Sequence, residues 1–163
     1  MKILYLGGVK SGKSRLAEAK TLEHSKSPVY LATTQLLDDE MKERIEVHKQ
    51  SRSSAFTVVE EPEHIVDVVQ NSKDRVLVEC MSMWINNMLY YKHSKELILE
   101  EVKKLVALDR EMVFVLNEVG TGIIGGSKLE RDFVDISGIT GQILAASCDE
   151  VYQVVAGIAR QLK

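Results

Sequence analysis

The chain has 163 residues, 45% of them hydrophobic and 28% charged, which is the ordinary composition of a globular domain that buries a core. Its formal net charge of −3 argues against a broad nucleic-acid-binding surface. No apolar run is long enough to span a membrane, and the chain starts with a strand-like run rather than a secretory signal. We therefore expect one cytoplasmic domain over 1–163.

Strand-like apolar runs alternate with helical patterns along the chain. The predicted strands lie at 2–6, 29–33, 56–59, 75–80, 112–116 and 150–155. The predicted helices lie at 15–20, 39–50, 63–70, 83–91, 95–108 and 129–146. Near-continuous apolar strands separated by helices are typical of an α/β fold with a mostly parallel central sheet and helices on both faces. Ligands of such sheets bind at the carboxyl ends of the strands.

The first predicted strand runs into a glycine-rich loop that matches the phosphate-binding pattern G-x-x-x-x-G-K-[ST]. The loop residues are Gly7, Gly8, Val9, Lys10, Ser11, Gly12, Lys13 and Ser14. Backbone N–H groups of such a loop converge on phosphate oxygens at the positive end of the following helix. We expect Lys13 to reach the β- and γ-phosphates and Ser14 to hold Mg²⁺. A glycine turn that binds nothing is the alternative, which the strand before the loop and the helix after it disfavour.

Polar residues follow the other predicted strands at the same edge. Thr33, Thr34 and Gln35 end the second strand, where nucleotide contact and simple turn chemistry are equally good interpretations. Glu79 ends the fourth strand at the position of a Walker B carboxylate, although Asp is more usual there, and should help to hold Mg²⁺. Glu118 follows the fifth strand and could contact metal, substrate or a neighbouring subunit, or belong to a structural turn.

The predicted helix at 39–50 carries a second constellation. Glu40, Arg44 and His48 are spaced four residues apart and share one helix face. Lys49 and Arg52 follow, and neighbouring cations favour the neutral, nucleophilic form of a histidine. From spacing alone, an ordinary salt bridge beside an exposed histidine is the better interpretation.

The two cysteines, Cys80 and Cys148, are far apart and belong to no metal-binding motif. Both lie in apolar surroundings, so we expect reduced thiols buried in the core.

These residues together resemble the bifunctional adenosylcobinamide kinase / adenosylcobinamide-phosphate guanylyltransferases, the CobU/CobP family. The resemblance covers nearly the whole chain, and its most discriminating elements are R-I-x-x-H and N-E-V-G-x-G-I beside the phosphate loop. The matching residues are Gly7 to Ser14, Tyr30-Leu31-Ala32-Thr33-Thr34-Gln35, Asp39-Glu40-Met41, Arg44-Ile45, His48, Glu60, Val78-Glu79-Cys80, Asn86, Asn117-Glu118-Val119-Gly120-Thr121-Gly122-Ile123 and Asp149-Glu150-Val151.

The resemblance implies a P-loop NTPase-like (RecA-like) fold and two reactions. One phosphorylates adenosylcobinamide with ATP or GTP, and the other transfers GMP from GTP to adenosylcobinamide phosphate. It implies that His48 carries the GMP, which reverses the interpretation from spacing alone, and that Mg²⁺ assists. It also implies a homo-oligomer, a trimer. The residues it places around the guanine nucleotide, beyond the phosphate loop, are Thr33, Thr34, Gln35, Lys49, Gln50, Ser51, Arg52, Glu60 and Glu79.

The chain departs from the family pattern in its last third. The loop Ile124-Gly125-Gly126-Ser127 lacks a common proline, Phe133-Val134-Asp135 lacks the arginine of F-R-D, and Gly138-Ile139-Thr140-Gly141-Gln142 lacks an asparagine. These changes bear on substrate contacts. Two other functions therefore stay open on the sequence: a P-loop kinase of another small alcohol, and a nucleotide-binding regulator without turnover.

Overall fold

The computed structural model describes residues 1–34, 54–122 and 125–163. Seven strands and five helices follow one another along these residues. The strands are β1 (Lys2–Gly7), β2 (Val29–Ala32), β3 (Thr57–Glu60), β4 (Val76–Glu79), β5 (Met112–Asn117), β6 (Glu150–Val155) and β7 (Ile158–Gln161). The helices are α1 (Lys13–Leu22), α2 (Ile65–Asn71), α3 (Met81–Tyr90), α4 (Lys95–Ala107) and α5 (Lys128–Ser147).

All seven strands belong to one sheet, in the order β3-β2-β4-β5-β1-β6-β7. Every neighbouring pair is parallel except β6 and β7, which form an antiparallel hairpin. The carboxyl ends of β1 to β6 therefore open on the same edge of the sheet. β5 lies between β1, which precedes the phosphate loop, and β4, which ends in Glu79.

Helices cover both faces of the sheet. Alternate residues of each strand point to opposite faces and pack against different helices. Leu4 and Phe114 pack with the apolar faces of α2, α3, α4 and α5 in the larger core. Tyr5 and Val113 pack on the other side with Ala17 of α1. The predicted α/β fold class is confirmed. None of the described helices has the length and apolar character needed to cross a membrane.

The predicted strands and helices of the described residues are all present, with ends shifted by at most two residues. The helix predicted at 39–50 lies outside the described residues. β7 was not predicted. It forms because Ala156 and Gly157 adopt left-handed angles, φ 50° and 82°, which close a two-residue hairpin turn after β6. All four β7 residues are exposed, so no apolar alternation indicates this strand.

Helix α2 starts later than the sequence predicts. The carboxylate of Glu61 accepts hydrogen bonds from the backbone N–H groups of Glu63 and His64, at 2.9 and 2.8 Å. Such a side-chain turn competes with helical hydrogen bonding. Helical geometry consequently begins at Ile65.

Asn87 of α3 ties together the segments that follow β2 and β3. Its buried side-chain Nδ2 donates to the carbonyl oxygens of Thr33, at 2.7 Å, and Pro62, at 3.0 Å. Nearby, the Trp84 indole Nε1 donates to the Glu63 carbonyl at 2.8 Å. Helix α3 therefore fixes the exits of two strands that reach the functional edge.

Replacing Asn87 with aspartate should destabilise the protein. The Asn87→Asp change puts a carboxylate oxygen against two carbonyl oxygens in a buried place, at an expected cost of about 3 kcal/mol. The measurement is the free energy of unfolding in urea. Asn86→Asp is the matched control, because Asn86 is the exposed neighbour on the same helix; its effect should stay within about 0.5 kcal/mol. Equal losses in both variants would contradict the role given to Asn87.

Candidate nucleotide site

The phosphate loop has the strand–loop–helix setting that its sequence predicts. β1 ends at Gly7 and α1 begins at Lys13. Gly12 caps the helix with a left-handed backbone, φ 95°, which favours glycine. The N-terminus of α1 therefore faces the loop and provides the positive end of a helix dipole for an anion.

The β6–β7 hairpin supports the loop from behind. The backbone N–H of Gly157 donates to the carbonyl oxygen of Ser11 at 2.8 Å. A Cβ on Gly7 would lie only 2.3 Å from the carbonyl oxygen of Val154, and one on Gly12 would lie 3.2 Å from the Cα of Gly157. Close backbone approach therefore requires glycine at position 7, whereas at position 12 the left-handed backbone and the tight contact together favour it. The role of Gly157 was not predicted, although the dipeptide Ala156-Gly157 is typical of a turn.

Lys13 lies inside the loop, with 5% of its surface exposed. Its Nζ donates to the carbonyl oxygen of Gly8 at 2.9 Å. Burial lowers the pKa of the ammonium, and the nearby Glu79 carboxylate opposes that shift. The cation has one carbonyl partner among the described residues, which a phosphate oxygen can replace with a stronger, charge-assisted hydrogen bond.

Ser14 and Glu79, the two predicted metal ligands, meet across the functional edge. The Ser14 hydroxyl donates to Oε1 of Glu79 at 2.7 Å, although the residues are 65 positions apart in the chain. A hydroxyl and a carboxylate are the hard oxygen donors that Mg²⁺ prefers. Within the described ranges, no cluster of three or more acidic, histidine or cysteine side chains could hold a metal. The pair therefore fits Mg²⁺ that also takes oxygens from phosphates and water.

Thr33 links the ends of two strands beside this pair through hydrogen bonds to the Cys80 backbone. It is fully buried, and its hydroxyl donates to the Cys80 carbonyl oxygen at 2.8 Å and accepts from the Cys80 N–H at 3.0 Å. The Thr33 side chain thus joins the end of β2 to the residue after Glu79. Thr34, the next residue, is half-buried.

Two further predicted residues lie at the same edge. Glu60 ends β3, is exposed and pairs in register with Ala32 of β2. Glu118 follows β5 with a half-buried side chain, and its backbone N–H donates to the Gly7 carbonyl oxygen at 2.9 Å. The remaining predicted site residues lie outside the described residues: Gln35, Glu40, Arg44, His48, Lys49, Gln50, Ser51 and Arg52.

Two residues organise the exits of β4 and β5: Ser82, which the sequence does not single out, and Cys80, which it predicts only as a buried thiol. The Ser82 hydroxyl accepts from the backbone N–H of Asn117 at 2.9 Å. The Sγ of Cys80 accepts from the backbone N–H of Met83 at 3.4 Å and caps α3. Both are small polar residues just after a strand, a pattern that the sequence alone does not separate from ordinary turns.

The predicted free, buried state of both cysteines is confirmed. Cys80 and Cys148 form no disulfide, and burial raises the pKa of each thiol to about 12. Neither sulfur is therefore a thiolate nucleophile at neutral pH.

Residues 125–127 belong to the loop that differs from the family pattern, and they precede and cap helix α5. Ser127 and Glu130 form a reciprocal capping box at the start of α5, and Arg131 Nη1 donates to the Gly126 carbonyl oxygen at 2.8 Å. A Cβ on Gly125 would lie 2.3 Å from the Cβ of Glu130. Glycine at position 125 lets Glu130 fold back onto the loop.

A methyl group should destabilise the protein at Gly7 and have little effect at the neighbouring Gly8. Gly7→Ala drives a Cβ into the Val154 carbonyl, so it should cost about 2 kcal/mol or more of folding free energy and displace the loop. Gly8→Ala is the matched control, because its Cβ would meet no atom within 4 Å; its effect should stay within about 0.5 kcal/mol. Thermal and urea unfolding measure both. Similar stability of the two variants would refute the close packing of the loop on β6.

Comparisons of the sequence with known proteins identify its family. Residues 3–162 match the family model described as cobinamide kinase / cobinamide phosphate guanyltransferase. The bifunctional adenosylcobalamin biosynthesis proteins CobU of Escherichia coli and Salmonella typhimurium are 38% and 36% identical to the chain, with 100% of each chain covered. CobP of Pseudomonas aeruginosa is 34% identical over 100% of this chain and 98% of its own.

Two solved structures match the chain at much lower sequence identity. A KaiC-like protein from Pyrococcus horikoshii matches at a TM-score of 0.49 and 14% identity, covering 93% of this chain and 69% of its own. The P4 protein of bacteriophage phi6, in complex with ADP, matches at a TM-score of 0.47 and 11% identity, over 97% and 52%. The family match, which spans nearly the entire sequence, decides the assignment: the chain belongs to the cobinamide kinase / cobinamide phosphate guanyltransferase family.

Proposed function

We propose that the protein is a bifunctional enzyme of cobalamin biosynthesis. It phosphorylates adenosylcobinamide with ATP or GTP, and it transfers GMP from GTP to adenosylcobinamide phosphate, giving adenosyl-GDP-cobinamide and pyrophosphate. The observation that carries this proposal is the phosphate loop with its Ser14–Glu79 pair, in a chain that matches the family over residues 3–162.

The phosphate loop would bind the triphosphate of either nucleotide. Loop N–H groups and the N-terminus of α1 receive the phosphate oxygens, and Lys13 turns from the Gly8 carbonyl to the β- and γ-phosphates. Ser14 and Glu79 would hold Mg²⁺, which when bound neutralises charge on the phosphate oxygens. In the kinase reaction the substrate hydroxyl oxygen attacks the γ-phosphorus, and the bond to the bridging oxygen breaks to release the nucleoside diphosphate.

The transferase reaction would use His48 as the nucleophile. A neutral imidazole nitrogen attacks the α-phosphorus of GTP, a P–N bond forms, and the bond to pyrophosphate breaks. The phosphate oxygen of adenosylcobinamide phosphate then attacks the same phosphorus, and the labile P–N bond breaks to return the histidine. Residues 49–52, with Thr34, Gln35 and Glu60, would line the guanine nucleotide.

We also propose a cytoplasmic homo-oligomer, a trimer, as the family resemblance implies. The described surface supports a subunit contact at the sheet edge. β7 is an edge strand, and the apolar side chains of Val155 and Ile158 on its hairpin are 63% and 73% exposed. Edge strands with such side chains are favourable surfaces for pairing with another chain.

The test is covalent labelling with α-³²P-GTP and Mg²⁺, followed by denaturing electrophoresis and acid treatment. The wild-type protein should carry an acid-labile label, because phosphoramidates hydrolyse in acid. His48→Ala should lose the label yet keep phosphorylating adenosylcobinamide, since the kinase reaction needs no histidine intermediate.

Lys13→Ala should lose most of both activities, by about 100-fold or more, because Lys13 stabilises the transferring phosphates in each.

The matched control is His64→Ala, since His64 is an exposed histidine on the segment between β3 and α2. It should label like the wild type. A wild-type protein that binds GTP but never becomes labelled would contradict the transferase and leave a kinase of a small alcohol. Full activity in Lys13→Ala would contradict the phosphate-loop assignment itself.

A further inference from the structure

A pocket of about 370 Å³ lies at the amino edge of the sheet, opposite the phosphate loop. Its walls come from three connections, 24–26, 73–75 and 109–111, which lead into β2, β4 and β5. These strands are parallel neighbours in the sheet, so their starts lie side by side. The pocket is therefore separate from the nucleotide site at the carboxyl edge.

Arg75 is a buried cation in the wall of this pocket. Its side chain is 2% exposed, and its Nη2 donates to Oε1 of Glu111 at 3.0 Å. Its Nε and Nη1 are buried and have no hydrogen-bond partner among the described residues. Burying N–H donors of a charged group without hydrogen-bond partners costs free energy. A guanidinium in this state therefore indicates a ligand acceptor that hydrogen-bonds to the unused N–H groups.

Ser25 adds an independent donor to the same wall. Its hydroxyl is buried and likewise has no partner in the described parts of the chain. The ammonium groups of Lys26 and Lys73 belong to exposed residues that line the same pocket. These hydrogen-bond donors come from two of the three connections, 24–26 and 73–75, rather than from one flat group.

The charge balance of the pocket also favours an anion. Its lining has four permanent cations, since Arg110 joins those already named, against the three carboxylates Asp74, Asp109 and Glu111. Arg75 lowers the pKa of Glu111 through its hydrogen bond, and this ionised carboxylate pairs with both Arg75 and the N-terminal ammonium, the latter at 3.6 Å. His24 also lines the pocket.

We propose that this pocket binds a phosphate group, either inorganic phosphate or the phosphate of a small monoester. A tetrahedral oxyanion accepts from a guanidinium, a hydroxyl and an ammonium that converge from different directions, whereas a planar carboxylate satisfies fewer of them. Nε and Nη1 of Arg75 and Oγ of Ser25 are shielded from solvent, so we expect both side chains to turn toward the pocket as the anion binds. The volume leaves room for a small organic part beside the phosphate.

The test is a titration of the whole protein with inorganic phosphate. Binding is measured from the chemical-shift changes of backbone amides in ¹H–¹⁵N spectra. Residue-resolved shifts separate this pocket from the phosphate loop, which also binds phosphate. We expect saturable shifts of amides in 24–26, 73–75 and 109–111, with a dissociation constant different from that of amides in 7–14. A parallel titration with GMP distinguishes the two sources: tighter binding of GMP at these amides assigns a monoester, and binding of inorganic phosphate alone assigns the free ion.

Variants decide whether these residues form the site. Ser25→Ala and Lys73→Ala should each weaken phosphate binding at the amino edge by about fivefold or more, and leave the shifts of 7–14 unchanged. Lys103→Ala, an exposed lysine on α4 outside the pocket, is the control and should change neither. Arg75→Gln should abolish the amino-edge shifts; if it fails to fold, the two single variants still decide. Shifts confined to 7–14, or amino-edge shifts that Ser25→Ala and Lys73→Ala leave intact, would overturn the proposal.

Discussion

The candidate site depends on one constraint, the parallel arrangement of β1, β5, β4 and β2. Because these strands run in the same direction, the phosphate loop, Asn117, Glu79 and Thr33 all emerge at one edge of the sheet. No short sequence segment brings them together: Ser14 and Glu79 are 65 positions apart and yet are joined by a 2.7 Å hydrogen bond. The sheet therefore builds the site, and Asn87 of α3 holds the exits of β2 and β3.

Close backbone packing then determines the shape of the phosphate loop. The carbonyl of Val154 lies against Gly7 and the turn at Gly157 lies against Gly12, where an added Cβ would be crowded, and the Gly157 N–H also bonds to the Ser11 carbonyl oxygen. The loop is thus held by the β6–β7 hairpin before any nucleotide arrives. A preformed loop reduces the ordering cost of binding. The same burial lowers the pKa of Lys13, while its ammonium keeps an exchangeable carbonyl partner.

Much of this arrangement could be predicted from the sequence because it has local signals. The glycine loop, the apolar strands and the acidic end of β4 each follow from a short pattern. The roles of Thr33 and Asn87 could not be predicted, because their partners are distant along the chain. Thr33 bonds to residues 46 and 47 positions away, and Asn87 bonds to residues 25 and 54 positions away. β7 was missed because its residues are all exposed. His48 is assigned by family resemblance, because its spacing alone favours an ordinary surface histidine.

The two edges of the sheet have different chemistry. The carboxyl edge holds the loop, the hydroxyl–carboxylate pair and the strand exits that suit a nucleotide with Mg²⁺. The amino edge holds a buried arginine and a serine hydroxyl with unused donors. A parallel sheet separates these two sets of residues by the length of its strands, so a ligand at one edge does not compete directly for the other.

The central claim is that Ser14 and Glu79 hold Mg²⁺ for a nucleotide in the loop. Its most direct test is calorimetric titration of GTP into the wild type and Glu79→Gln, with and without Mg²⁺, with Glu101→Gln on α4 as the control. We predict that Mg²⁺ strengthens GTP binding in the wild type and in the control, and that Glu79→Gln loses most of this Mg²⁺ effect while still binding GTP without metal. An undiminished Mg²⁺ effect in Glu79→Gln would contradict the account.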